Sequence, residues 1–199
     1  MTTGINKVTI TNVVPGTVNI GGTITSAYTF SSLPSGWVRP GIMLFTGTCY
    51  LLLGYSGSAS YTTIYRCTDL LNFATWSPIT VPSSNWSQGA VNSSTGTIVL
   101  VSTVSGNTTT CYSTDDGITW SSGSTFTSSQ MYSISYGNKF ILAFNSLSTG
   151  KQSADGITWS NINLLSFQTA SRLVYSPTID LWFAKDTNSN LWRSTDGTG

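Results

Sequence analysis

Histidine and glutamate are absent from this 199-residue sequence, and all seven acidic residues are aspartates. The chain therefore lacks the two side chains most used as a base beside an activated nucleophile. Charge of either sign is scarce: charged residues make up 8% of the chain, against about 25% in an ordinary globular protein. The four lysines (Lys7, Lys139, Lys151, Lys185) and four arginines (Arg39, Arg66, Arg172, Arg193) are scattered, and the net charge is +1. That excludes the clustered basic footprint of a nucleic-acid or acidic-membrane binder. No apolar run approaches the length of a membrane span. The opening Met1-Thr2-Thr3-Gly4 has neither the basic nor the apolar region of a signal peptide, so synthesis in a cytoplasm without export by that route is expected. Cys49, Cys67 and Cys111 are odd in number and fit no metal or redox spacing. They are expected to serve as small apolar strand residues, and no cofactor or metal is expected.

What replaces charge is hydroxyl and ring. Ser and Thr supply about a third of the chain and aromatics 12%. Branched and aromatic side chains suit a pleated surface, so the composition predicts an all-β protein. A repeat organises it. The tripeptides Cys67-Thr68-Asp69, Ser113-Thr114-Asp115, Ser153-Ala154-Asp155 and Ser194-Thr195-Asp196 place their aspartates 46, 40 and 41 residues apart. Trp76, Trp120 and Trp159 follow three of them, each preceded by Thr, and Asp-Gly-Ile-Thr-Trp occurs at both 116–120 and 155–159.

Before each tripeptide lie two short apolar runs split by a turn: 42–45 and 49–53, 89–91 and 98–101, 132–136 and 140–144, 173–175 and 181–184. Runs of this length bounded by Gly, Asn and Pro read as strands joined in hairpins, and no window has a helical period. Each unit thus reads as strand A, turn, strand B, longer loop, strand C, Asp turn, strand D. A period near 40 with four antiparallel strands is the sequence pattern of a β-propeller blade.

The turn residues resemble the Asp-box, or bacterial neuraminidase repeat, with pattern Ser/Thr-x-Asp-x-Gly-x-Thr-Trp. Ser113, Asp115, Gly117 and Trp120 fit every position. Ser153, Asp155, Gly156 and Trp159 form a turn one residue shorter. Cys67 to Trp76, with Asp69, is two residues longer and lacks the glycine; Ser194, Asp196 and Gly197 begin a fourth box. The resemblance covers roughly residues 40–199. It implies that the Asp carboxylate and Ser hydroxyl bond backbone N–H groups of the turn, that the glycine takes a positive φ, and that the Trp packs between blades as a buried anchor.

Sialidases of similar pattern use three arginines, a Tyr activated by a Glu, and an acid Asp. The Tyr–Glu pair cannot be built here, and a Tyr of ordinary pKa near 10 needs such a base. Arg66 and Arg193 sit beside the Asp turns, on the side opposite the pocket that the resemblance implies, leaving Arg39 and Arg172. Outside the four boxes' Asp positions only Asp116, Asp180 and Asp186 remain as candidates for a carboxylate pair. A non-enzymatic protein is expected, with a sialidase-like glycan hydrolase, or a fragment of a larger bacterial surface or secreted propeller, as the alternatives.

Without chemistry, a propeller binds through loops or serves as structure. The loops opposite the boxes carry Tyr55, Tyr61, Trp86, Gln88, Gln130, Tyr132, Asn145, Phe167, Gln168 and, at the start of a strand A, Arg172. Rings, amides and hydroxyls of this kind suit a glycan, and each residue has packing between blades as its alternative role. Residues 1–38 leave the repeat and read as a β arm or a degenerate fifth blade; 39–199 hold the repeats. The fourth box stops before a strand D, which the arm, another chain or a continuation of the sequence past Gly199 is expected to supply. Low-charge Ser/Thr/Gly/Asn-rich β repeats without a leader resemble bacteriophage virion proteins such as tail or capsid fibres. That resemblance implies a virion location, many copies per particle, docking to other virion proteins through 1–38, and a host-surface glycan as partner.

Overall fold

The computed structural model describes residues 35–55, 59–69, 76–127, 130–144, 149–164, 170–186, 188 and 190–198, with the side chains at 170 and 171 excepted. Among them there is no helix, and fifteen strands form four antiparallel sheets. Sheet 1 contains β1 (Arg39–Phe45), β2 (Tyr50–Tyr55), β3 (Tyr61–Cys67) and β4 (Ser77–Ser84). Sheet 2 contains β5 (Gln88–Asn92), β6 (Thr97–Val101), β7 (Thr109–Ser113) and β8 (Ser121–Thr125). Sheet 3 contains β9 (Met131–Tyr136), β10 (Phe140–Phe144), β11 (Thr149–Ser153) and β12 (Ser160–Asn163). Sheet 4 has three strands, β13 (Ala170–Ser176), β14 (Leu181–Asp186) and β15 (Leu191–Ser194). In every sheet the strands lie in chain order, so each is a meander built from sequential hairpins. The A and B strands read from the apolar runs, and the C and D strands read around the Asp turns, are these strands, with no fourth strand in sheet 4 among the described residues.

Burial explains which runs lost their alternation. The strands β6 (TIVLV) and β10 (FILAF) are buried at every position, as a strand must be when both faces of its sheet are covered. In β14 (LWFAKD) burial alternates, because among the described residues only one face of sheet 4 packs against another sheet. The sheets stack in sequence through their first strands, β1 on β5, β5 on β9 and β9 on β13. Between sheets 2 and 3 lies a core of Val99, Val101, Phe126, Met131, Phe140, Leu142 and Phe144; between sheets 3 and 4 lies another of Ile141, Ile162, Leu164, Leu173 and Trp182.

Two residues of the N-terminal segment, just before β1, are bonded to sheet 1. The Val38 N–H donates to Tyr55 O at 2.7 Å, extending the ladder. Trp37 is buried, and its Nε1–H donates to Thr63 O at 3.0 Å. Its ring lies so close to Gly54 that a Cβ there would sit 2.1 Å from it, so only glycine fits. The remainder of 1–38, from 1 to 34, lies outside the described residues.

Candidate functional site

The meander sorts the connections. A–B turns and C–D turns fall at one edge of each sheet; B–C and D–A loops fall at the other. The first edge carries the Asp turns. At 113–120 the Ser113 hydroxyl donates to Asp115 Oδ1 (2.7 Å) and accepts from the Gly117 N–H (2.9 Å). Asp115 accepts from the N–H groups of Ile118 (3.1 Å) and Thr119 (2.9 Å) and from the Thr119 hydroxyl (2.7 Å). The same kernel recurs at Ser153, Asp155 and Gly156, and at Ser194, Asp196 and Gly197. The three glycines have φ of 78°, 78° and 74°, the left-handed region expected of them.

These carboxylates are held as acceptors. Partial burial pushes the Asp115 and Asp155 carboxyls up, but the bonds from their own turns outweigh it. Asp115 lies below its ordinary value, and Asp155 falls to about 2. The Thr198 hydroxyl, then the Thr198 N–H and Ser194, bring Asp196 to about 2. A carboxylate so stabilised is a poor proton donor. Asp186, fully buried, closes the β14–β15 loop by accepting from the Asn190 N–H and Nδ2–H, 2.8 Å each, and from Trp192 Nε1–H at 3.3 Å. Asp180 accepts from the Tyr175 hydroxyl at 2.5 Å.

The Asp turns also fasten one sheet to the one before. A Cβ on Gly117 would lie 2.9 Å from Leu51 of sheet 1, one on Gly156 2.6 Å from Val99 of sheet 2, and one on Gly197 2.0 Å from Ile141 of sheet 3. Leu51, Val99 and Ile141 occupy one register position, opposite the residue before the turn's Cys or Ser, and all three are fully buried. Asp116, itself at φ 55°, offers its carbonyl to Arg66 Nε–H (2.9 Å) and to the Cys49 thiol (3.2 Å) of sheet 1. The tryptophans divide. Trp76 is buried. Trp159 is half-buried between Phe126 and Phe140 of sheets 2 and 3. Trp120, expected as a buried anchor, is only half-buried, with Nε1–H donating to Gly117 O at 3.1 Å.

The opposite edge holds the candidate ligand residues, and the structure separates them. Tyr61 and Trp86 are 2% and 1% exposed, so neither offers a ring face to a ligand. Tyr61 donates its hydroxyl to Gly54 O and to Trp86 O, and Trp86 Nε1–H donates to Pro82 O. Burial, then the neighbouring Cys111, push the Tyr61 hydroxyl far above its ordinary value. These two rings are brought together, but as packing. Sequence position puts them at loop ends without telling which way the ring turns.

Tyr55 remains accessible, 43% exposed, with the Arg39 guanidinium 4.8 Å over its ring, a cation–π pair. Tyr132 is half-buried and Arg172 exposed. Each directly precedes the contact in which Leu173 N–H donates to Ser133 Oγ at 2.9 Å, so the two flank one seam between sheets 3 and 4. Gln88 is half-buried, and Gln130 Nε2 donates to Thr103 O. Asn145, Phe167 and Gln168 lie outside the described residues. Among the described residues no group of three or more Cys, Asp, Glu or His is placed to hold a metal.

No family model and no curated protein sequence matches this chain. Solved structures do. A chain of a nidogen/laminin complex is similar with a TM-score of 0.58 at 11% identity, over 82% of this chain and 62% of its own. The computationally designed Ika4 protein is similar with a TM-score of 0.54 at 9% identity, over 81% of this chain and 94% of its own. This chain thus spans under two thirds of the first neighbour's length. At such identities the likeness is one of fold: all-β, in antiparallel sheets of three or four strands, with a propeller-like neighbour in nidogen.

Proposed function

We propose that this chain is a non-enzymatic binding and display module: a β-propeller whose blades are the four sheets and whose Asp turns are Asp-boxes. One observation carries the reading. The Asp-turn carboxylates at 115, 155 and 196 are occupied by their own turns, while the opposite edge presents an exposed ring under a cation, Tyr55 beneath Arg39. The first edge is framework and the second is available surface. The propeller-like neighbour supports the blade reading, and its presence in a complex with laminin is in keeping with a binding role.

The setting follows from composition. The module is a bacteriophage virion component, a tail- or capsid-fibre protein made in the host cytoplasm and exposed after lysis. It is attached to other virion proteins through residues 1–38 and present in many copies. Weak contacts between its hydroxyl- and ring-bearing loops and host-surface glycans gain strength from that multiplicity. A glycan array probed with multimerised protein is expected to give a signal that Tyr55→Ala or Arg39→Ala lowers; a blank array leaves particle structure as the role. Recovery only in host supernatant and never on particles removes the virion setting. Turnover of a fluorogenic sialoside, lost on changing Arg39 or Arg172, would overturn the non-enzymatic reading.

A further inference from the structure

Three of the seven aspartates directly precede a glycine: Asp116–Gly117, Asp155–Gly156 and Asp196–Gly197. Such a pair carries its own chemistry. The glycine nitrogen attacks the aspartate Cγ and closes a five-membered imide, and glycine has no Cβ to hinder the approach. A C–N bond forms and a C–O bond breaks; the nitrogen's proton and the carboxyl's hydroxyl leave as water. Nothing is oxidised or reduced. Water then adds back to either imide carbonyl. Addition at Cγ restores aspartate; addition at the backbone carbonyl carbon leaves an isoaspartyl link, with an extra methylene in the main chain. The reaction needs a protonated carboxyl, since an ionised one has no hydroxyl to lose, and it needs the nitrogen to reach Cγ.

At 155 and 196 the fold opposes both steps. The Ser153 hydroxyl accepts from the Gly156 N–H and donates to Asp155 Oδ1, 2.8 Å each. The Ser194 hydroxyl stands likewise between the Gly197 N–H (3.1 Å) and Asp196 Oδ1 (2.8 Å). One hydroxyl thus holds both reacting groups and keeps them apart. Asp155 Oδ1 also accepts from the Ile157 and Thr158 N–H groups at 2.8 Å each, and Asp196 Oδ1 from the Thr198 N–H at 2.9 Å. Such bonds favour the ionised carboxylate, the unreactive form. At 116 the inserted residue undoes this arrangement. The carboxylate bound by the Ser113 hydroxyl belongs to Asp115 (2.7 Å), whereas the Gly117 N–H bound by it (2.9 Å) follows Asp116. Asp116 is half-buried, and no hydrogen bond holds its carboxylate among the described residues. Its Oδ1 lies beside Gly96, which has no side chain to bond it.

The geometry points to Asp116–Gly117 as the chain's site of spontaneous isomerisation: the Ser113 hydroxyl no longer stands between this glycine nitrogen and the carboxyl before it, so the bond converts to an isoaspartyl link while those at 155 and 196 are kept. The partners of residue 116 set the consequence. Its carbonyl accepts from Arg66 Nε–H (2.9 Å) and from the Cys49 thiol (3.2 Å) of sheet 1. In the isoaspartyl form the main chain runs through Cγ, and that carbonyl carbon becomes a free carboxylate. The turn therefore changes at the contact by which it fastens sheet 2 to sheet 1. The site lies on the Asp-turn edge and does not depend on the glycan reading.

The test is incubation of the full chain for days in heavy-oxygen water at mildly acidic pH, followed by digestion in ordinary water and mass spectrometry with fragmentation. Each opening of the imide adds one heavy oxygen to the aspartate concerned, whichever carbonyl the water attacks. In the native chain residue 116 is expected to take up label at least about ten times faster than 155 or 196, because the fold suppresses local opening at the last two. In strong urea the three sites are expected to label at similar rates. Ser153→Ala removes the hydroxyl from between the pair at 155 and is expected to raise the label there about tenfold relative to 196 in the same molecules. Deletion of Asp116, which gives the turn the length of its shorter counterpart, is expected to bring the remaining Asp–Gly pair down to the native rate of 155. The inference fails if 155 or 196 labels as fast as 116 in the native chain. It fails too if 116 keeps its lead in urea, since the local sequence and not the fold then sets the order. An unchanged ratio of 155 to 196 in Ser153→Ala also overturns it.

Discussion

The turns at 113–120 and 153–159 share a Ser–Asp–Gly kernel and differ by one residue. In both, the Ser hydroxyl spans the Asp carboxylate and the Gly N–H at 2.7–2.9 Å. The extra residue of the longer turn is Asp116. Its left-handed backbone aims a carbonyl at Arg66 and Cys49 of the previous sheet. The shorter turn has no such residue and reaches back through another contact, Ser124 Oγ–H to Ile157 O at 3.2 Å. The tryptophans part in the same way: Trp120 Nε1–H reaches Gly117 O, while Trp159 Nε1–H has no partner. The kernel therefore sets the turn, and the residue inserted between its Asp and its Gly sets what the turn fastens to.

The largest effect that sharpens this comparison is expected at the kernel glycine. Gly156→Ala forces a left-handed alanine, at about 1–2 kcal/mol, and presses a methyl into Val99, at about 1–3 kcal/mol. A loss of about 2–5 kcal/mol in urea denaturation is expected. Gly106→Ala is its control, because Gly106 also has positive φ (81°) but nothing within 4 Å of the added carbon; it should cost about 1–2 kcal/mol. Similar losses at both positions would show that the seam with sheet 2 contributes nothing.

Next come Ser113→Ala and Ser153→Ala, each leaving a buried glycine N–H without its acceptor, at about 1–3 kcal/mol. Nearly equal values are expected, since the kernel is common to both turns; a large gap would break the claim that length is irrelevant to it. Smaller again is the tryptophan pair. Trp120→Phe removes a hydrogen bond and Trp159→Phe removes an unpaired N–H, so the first should cost about 0.5–1.5 kcal/mol more than the second.

The smallest effect per residue is acid loss. Asp155 and Asp196 have folded values of about 2, below the ordinary carboxylate. Their contribution is present above pH 4, and it is lost as pH falls through 4 toward 2. A melting temperature flat from pH 7 to 5 and falling below 4 is expected, with the fall blunted in Asp155→Asn.

The repeat made the strand order legible in advance, because a turn that must satisfy N–H groups within itself leaves a local mark: Ser and Asp two residues apart, with Gly one or two residues on. The hairpins were legible from apolar runs broken by Gly and Asn. What escaped depends on partners distant in sequence. Trp37 carries no repeat pattern, and its place is set by Gly54 and Thr63. Trp86 and Tyr61 sit at loop ends yet turn inward, toward carbonyls at Pro82 and Gly54. The less buried face of sheet 4 was hidden in plain alternation: Leu181, Phe183 and Lys185 on one side, Trp182 and Ala184 on the other. Alternation tells that two faces differ, not which one packs against a neighbouring sheet.

The seating of Gly117, Gly156 and Gly197 on the sheet before each gives the molecule a direction in time as well as in space. A ribosome delivers residues from the N-terminus at about 5–20 per second. Each glycine therefore emerges after the strand that receives it: Leu51 before Gly117, Val99 before Gly156, Ile141 before Gly197. Every turn finds its seat already made, and the nascent chain can add sheets one at a time without holding an unfinished unit in waiting.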